Sequence, residues 1–364
     1  MSASVKPEQI IRDDIRALRA YHVADPIGCV KLDAMENPYR WPAALIDEWL
    51  ASLRDVEINR YPDPGAARLI AALRPVMDIP ADMAVLPGNG SDELIQMLAL
   101  AVARPQRVVM APEPTFVMYR MIAQVAGMRY VGVPLTDAFA IDLPAFERAI
   151  DAHRPALVFL AYPNNPTGNL FDAQAIERIV RRTPGLVVVD EAYAPFTDSS
   201  FMHRLGEFDN LLVLRTVSKM GLAGLRLGLL AGPPAWLEEI DKTRLPYNIN
   251  VLTQASVAFA ARRFDVLMEQ AARIRRDRSA LFQALAALPG LHPYPSEANF
   301  ILFRTPPGAA TPLYDALRRR KVLIRNLSGA DAALADCLRV TVGAPDENQT
   351  FLAALSDAIE ELAA

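Results

Sequence analysis

"LVFLAYPNNPTG", Leu157 to Gly168, is the stretch whose reading decides the fold. Its first half is apolar without interruption. A strand with one wet face alternates apolar and polar residues, whereas a strand buried on both faces reads as a continuous apolar run, and parallel sheets covered by helices are buried that way. Its second half holds two prolines, two asparagines, a threonine and a glycine. A turn uses about two such residues, so the remaining polar groups are available to hold something where the strand leaves the core.

The pattern repeats along the chain. "RVVMAP" (107–112), "RYVGVPL" (129–135), "LVVVDEAY" (186–193), "LLVLRT" (211–216) and "RLGLLAG" (226–232) are short and β-rich, and most are continuously apolar. Amphipathic stretches such as "DLPAFERAIDAH" (142–153) and "DAQAIERIVRRT" (172–183) lie between them. "SDELIQMLALAVA" (91–103) starts with Ser91 and two acids, which suits an N-cap and first helical turn. This alternation predicts an α/β fold, with a mostly parallel central sheet flanked by helices. From about residue 234 the pattern changes to a helical tract over 236–288, interrupted near "LPYNIN" (245–250). The strands "NFILFRT" (299–305), "KVLIRNL" (321–327) and "CLRVTVG" (337–343) and a last helix from about Asp346 follow. The expected organisation is an N-terminal arm over 1–30, or part of the small domain, lying across another surface, a large domain over 31–240 and a smaller α+β domain over 241–364.

The length of 364 residues is more than one ordinary core accommodates and fits two domains. With 22% charged residues and a net charge of -4, no basic surplus points to nucleic acid or an anionic membrane. Cys29 and Cys337 form no CxxC pair, and His22, His153, His203 and His292 form no HExxH pattern, so neither a disulfide framework nor a metal site is expected. The polar start and the lack of any apolar window near ~20 residues suggest a cytoplasmic protein without a membrane span.

Ligands of open α/β sheets sit outside the carboxyl ends of the strands. The residues that follow the apolar runs are Asn164 to Gly168, then Asp190-Glu191-Ala192-Tyr193, then Thr216-Val217-Ser218-Lys219 with Gly221, Gly224, Arg226 and Gly228. Gly88-Asn89-Gly90-Ser91 precedes a helix. Singly, each is a turn, a tight glycine loop or a solvated charge. Jointly they offer an amide, an acid, a phenol, an amine, hydroxyls, an arginine and free backbone N–H groups at a helix start. A ligand with a phosphate, an acidic ring hydroxyl, a basic ring nitrogen and an aldehyde would use them all, and pyridoxal 5′-phosphate is such a ligand.

"NNPTG", "DEAY" and "SKMGLAGLRLG", in this order and spacing, resemble the signature segments of the fold-type I, class II-type aminotransferases. "LDAMENPY" (32–39), "INRYPDP" (58–64), "PGNGSDELI" (87–95), "PEPTFVMYR" (112–120), "PYNIN" (246–250) and "SEANFIL" (296–302) are similar to those of the histidinol-phosphate aminotransferases. The resemblance covers essentially the whole chain. It implies the transferase fold of type I, the cofactor pyridoxal 5′-phosphate and a homodimer with an active site shared across the interface. Lys219 would bind the cofactor as a Schiff base and then act as the base that moves the substrate proton. Asp190 would pair with the ring nitrogen, while Tyr193 and Asn165 would hold the ring oxygen. Gly90, Ser91, Thr216, Ser218 and Arg226 would hold the phosphate, together with Tyr61 from the other subunit. Phe116 would stack on the ring, where many relatives carry tyrosine. Arg339 would bind the α-carboxylate of glutamate, Asn165 would also contact the substrate, and Arg325 and Tyr21 are candidates for the substrate's phosphate. The implied reaction converts L-histidinol phosphate and 2-oxoglutarate to imidazole acetol phosphate and glutamate. An aromatic amino-acid aminotransferase and a threonine-phosphate decarboxylase are the alternatives on the same scaffold.

Overall fold

The structure is a computed structural model that describes residues 5–18, 20 and 25–363. Seven strands form the main sheet: β1 (Ala84–Gly88), β2 (Val108–Glu113), β3 (Arg129–Pro134), β4 (Leu157–Ala161), β5 (Leu186–Asp190), β6 (Leu211–Thr216) and β7 (Gly228–Gly232). Their spatial order is β1-β7-β6-β5-β4-β2-β3. Only β7 runs against its neighbours, β1 and β6, and the remaining pairs are parallel.

The apolar runs are continuous because two cores draw on them. Val158, Leu160, Val187, Val189, Leu211 and Val213 pack into one core. Leu157, Phe159, Ala161, Leu186, Val188, Leu212 and Leu214 pack into another. Alternate residues of one strand therefore feed opposite faces of the sheet. Helices cover both faces. Leu143–His153 is capped by Asp142, whose side chain accepts the Ala145 N–H at 3.0 Å, and Ala173–Arg182 is capped by Asp172 through the Gln174 N–H.

Four short strands form a second sheet in the order Arg325–Asn326, Cys337–Thr341, Phe300–Arg304, His292–Pro293, all antiparallel. Phe300, Phe303, Phe351, Ile274 and Leu285 are among the residues of its own core.

Four local expectations differ from the structure. Ser91 is the first residue of its helix rather than its cap: Gly90 caps it at φ +88°, which leaves the Ser91 N–H facing out of the helix end. Strand β1 was not among the expected strands, because it contains Pro87 and runs straight into a glycine turn; as an edge strand of the sheet it tolerates a residue without an N–H. The run 321–327 divides, since Val322–Leu323 pairs in parallel with Val30–Lys31 and Arg325–Asn326 changes partner to Cys337–Thr341. The helical tract breaks again between Val251–Ala261 and Phe264–Ala287. In the arm, Arg12 donates to the carbonyls of Gln124 and Val125 at 3.1 Å, so this part of it lies on the chain's own helix end. No helix among the described residues is long and apolar enough to cross a membrane.

Candidate active site

Register brings the functional loops to one edge. Ala161 is paired with Asp190, Asp190 with Leu214, Thr216 with Gly228 and Gly228 with Gly88. The loops after β4, β5 and β6, the start of β7 and the turn after β1 therefore open onto the same cleft. Ser91, Phe116, Asn165, Asp190, Tyr193, Thr216, Ser218, Lys219 and Arg226 line one cavity there, together with Asp92 and Tyr119.

The asparagines of the opening stretch have separate duties. Asn164 is fully buried and ties the loop down: its amide donates to the Pro114 carbonyl (3.0 Å) and the Thr167 hydroxyl (2.8 Å), and it accepts from Thr115 (2.8 Å). Gly168 turns at φ +79°, where a Cβ would lie 2.5 Å from the Ser296 hydroxyl oxygen. Asn165 faces the cavity. Its amide donates to the Tyr193 hydroxyl at 3.2 Å, and its carbonyl accepts from the Arg339 guanidinium. Arg339 also donates to the Asp33 carbonyl at 3.1 Å and lies over the Phe300 ring.

At the far end, backbone closeness makes an anion corner. A Cβ on Gly90 would sit 2.6 Å from a guanidinium nitrogen of Arg226, and one on Gly228 would sit 2.8 Å from the Ser91 nitrogen. Only glycines leave room beside those N–H donors. Thr216 and Ser218 bring their hydroxyl oxygens within 2.9 Å of each other. Arg226 adopts φ +49°, a conformation that costs a non-glycine residue ~1 kcal/mol or more. Its guanidinium is half-exposed, 3.8 Å from Asp92.

The titratable groups are shifted by burial. Lys219 donates to the Ala34 carbonyl at 3.3 Å. Burial first, and the positive Arg339 second, push its amine down to about 8. About a tenth of it is then neutral at pH 7. Only the neutral amine attacks a carbonyl. The rate at which cofactor-free protein takes up an aldehyde cofactor should therefore rise with pH to a plateau, with half its limit near pH 8. Stopped-flow absorbance measures this, and a midpoint near 10 would contradict the burial argument. Burial raises Asp190 to about 6, although hydrogen bonds from the Tyr119 hydroxyl (2.7 Å) and the Ala192 N–H (3.0 Å) oppose the rise. Tyr193 is held above the ordinary phenol range, again chiefly by burial.

Other residues named from the sequence lie elsewhere. Tyr61 is 81% exposed and stacks on Tyr247 at 4.5 Å, outside this cavity. Arg325 pairs with Arg339 across neighbouring antiparallel strands, so the two side chains leave the same face. Tyr21 lies outside the described residues. Three contributors were missed. Tyr119 lies within "PEPTFVMYR" (112–120), where nothing in the local pattern sets it apart from its neighbours. The carbonyls of Asp33 and Ala34 carry no sequence signal, because any residue supplies one.

A family model for aminotransferase class I and II matches residues 27–355. The chain belongs to the class I and II aminotransferases. It is 57% identical over 347 residues to histidinol-phosphate aminotransferase 2 of Nitrosococcus oceani, covering 95% of this chain and 96% of that one. It is 56% identical over 359 residues to histidinol-phosphate aminotransferase 2 of Cupriavidus pinatubonensis, covering 97% and 98%. The histidinol-phosphate aminotransferase of Sinorhizobium meliloti, solved in complex with pyridoxal-5′-phosphate, matches with a TM-score of 0.87 at 25% identity over 99% of each chain. The site of this aminotransferase fits that cofactor chemically. A glycine-walled N–H corner suits a phosphate, Asp190 suits a ring N–H, and Lys219 holds a partly neutral amine in the same cavity.

Proposed function

We propose that the chain transfers the amino group of L-histidinol phosphate to 2-oxoglutarate, giving imidazole acetol phosphate and glutamate, a step of histidine biosynthesis. The observation that carries the reading is Lys219 and Asp190 lining one cavity, in a chain more than half identical to histidinol-phosphate aminotransferases over nearly its full length. Pyridoxal 5′-phosphate, when bound, supplies a carbonyl that takes up an amino group and a ring that accepts the electrons of the bond being broken.

The residues supply the rest. Gly90, Ser91, Thr216, Ser218 and Arg226 hold the phosphate, and Phe116 covers one ring face. Asp190 keeps a proton on the ring nitrogen, and Asn165 and Tyr193 direct donors at the ring oxygen. Lys219 would serve as the base at the carbon that bears the amino group. Arg339 grips the α-carboxylate of glutamate or 2-oxoglutarate with its planar fork. Arg325, on the same face of its sheet, is the described candidate for the phosphate of histidinol phosphate, and Tyr21 is the second. Two like charges side by side repel, and an anionic substrate relieves that repulsion.

Arg339→Lys should raise the KM for 2-oxoglutarate by about tenfold or more, because one ammonium cannot donate in a fork. Steady-state kinetics with each substrate varied checks this, and an unchanged KM rules out the carboxylate role.

The exposed Tyr61, with Ile58 and Leu245 also exposed, supports a homodimer in which Tyr61 reaches the partner's phosphate corner. The same reading carries a cytoplasmic location. For the division into a large unit over 31–240 and a smaller one over 241–364, the packing of Val251–Ala261 residues into the core of the main sheet favours a junction within the long helix Phe264–Ala287.

A half-reaction assay tests the substrate. Histidinol phosphate, phenylalanine and threonine phosphate are added separately to the holoenzyme, and the absorbance of the lysine-linked cofactor is followed. Fast loss with histidinol phosphate is expected. Fast loss with phenylalanine alone favours an aromatic aminotransferase, and release of carbon dioxide from threonine phosphate favours a decarboxylase. The threonine-phosphate decarboxylase of Porphyromonas gingivalis shares the fold at 23% identity, well below the identity to the histidinol-phosphate enzymes.

A further inference from the structure

Asp190 ends strand β5 with 4% of its surface exposed, and both of its oxygens meet donors. Oδ1 accepts the Ala192 N–H at 3.0 Å and Oδ2 accepts the Tyr119 hydroxyl at 2.7 Å. Tyr119 is fully buried, and no reading of the sequence assigns it a task. Its ring lies flat on Phe159 (centroids 4.7 Å apart, planes at 5°) and meets the edge of Phe116 (5.5 Å, 86°). The rings fix its direction, so the hydroxyl has one place to point. One side chain thus touches both the acid meant for the ring nitrogen and the aromatic residue meant for the ring face.

We propose that Tyr119 is a positioning residue of the transamination: its hydroxyl keeps Asp190 an ionised acceptor aimed at the cofactor's ring nitrogen, and its ring braces Phe116. This rests on the cofactor reading given above.

A buried carboxyl left alone takes up a proton, because its charge is expensive in a dry site. Two donors at its oxygens favour the charged form. Burial also holds the Tyr119 phenol well above its ordinary range, so it remains a donor at any working pH. Two neighbouring acids oppose it. Asp92 from the helix Ser91–Val102 and Glu191 from its own strand end are acids and disfavour a further negative charge. Glu191 is largely neutralised by Arg215, which donates to it at 2.8 Å, and Tyr193 remains a neutral phenol. Tyr119 is thus the side-chain group that tilts Asp190 toward the carboxylate. Without it, Asp190 becomes the stronger base, and the proton between it and the ring nitrogen moves to the oxygen.

The test loads wild type, Tyr119→Phe and Tyr119→His with cofactor carrying ¹⁵N in its ring. Tyr119→Phe keeps both ring contacts and removes one hydroxyl, while Tyr119→His returns an N–H donor. The ¹⁵N shift should report a protonated ring in wild type, move toward the neutral value in Tyr119→Phe and return partly in Tyr119→His. The kcat of Tyr119→Phe should fall about tenfold, the size expected for loss of a hydrogen bond to a charged group, with the KM of the amino donor within about twofold. The proposal is overturned if Tyr119→Phe keeps the wild-type shift and kcat, or if both variants lose the protonated shift equally. Failure of wild type to take up cofactor would instead sink the cofactor reading itself. If Tyr119→Phe does not accumulate as folded protein, wild type and Tyr119→His decide between them: a neutral-ring shift in Tyr119→His overturns the proposal, and a protonated one supports it.

Discussion

Lys219→Ala should lower kcat by ~10⁴-fold or more, since it removes both the covalent attachment and the proton-transferring base. The variant should fold. Among the described residues the amine makes one long hydrogen bond, of 3.3 Å, to the Ala34 carbonyl, and burial already works against its charge. Phosphate contacts remain, so the cofactor should bind more weakly and without the absorbance band of the lysine-linked form. Single-turnover measurement with glutamate or histidinol phosphate gives the rate. Near-normal turnover would remove the lysine from the reaction.

The second large effect belongs to Asp190→Asn, for which kcat should drop by ~10³-fold or more. An amide cannot hold a proton on the ring nitrogen, and the ring then accepts electrons poorly. Stability should move the other way in the cofactor-free protein. Asp190 is raised from its ordinary 3.8 to about 6 by burial. The folded state holds that proton more tightly than the unfolded chain does. Its favourable contribution is therefore full below pH ~4 and disappears as the pH rises through about 6. Above that, the buried charge costs up to ~3 kcal/mol. The amide carries no charge, and Tyr119 can rotate its hydroxyl to accept the amide N–H. Asp190→Asn should thus be the more stable apoprotein at pH 8, with little difference at pH 4.5. Urea unfolding at the two pH values measures the difference. A less stable variant at pH 8 would mean that Asp190 holds the loop as well as the chemistry.

The elements most legible in the sequence were those with local causes. Leu157–Ala161 and Leu186–Asp190 announced themselves because burial on both faces requires an unbroken apolar run, and the stretches 142–153 and 172–183 showed as helices because one face of each is apolar at helical spacing; the cap read at Ser91 fell one residue late, since Gly90 holds that place. The loop residues Asn165, Tyr193 and Lys219 were legible because each follows such a run, and the ends of parallel strands share an edge. Where an element depended on a partner distant in sequence, the signal failed. Ala84–Gly88 is a strand only because Gly228–Gly232 pairs with it, and the run 321–327 is two strands only because Val30–Lys31 claims its first half.

The sequence by itself determined the alternation of strand and helix, the set of chemical groups at the sheet edge and the family. Only the tertiary structure decided that Tyr119 reaches Asp190 across 71 residues, that the Asp33 and Ala34 carbonyls meet Arg339 and Lys219, and that Arg325 stands beside Arg339. Periodicity and capping act over a few residues, and one chain records them in order. Hydrogen bonds between remote loops, and the protonation that burial imposes, exist only once packing has removed the water.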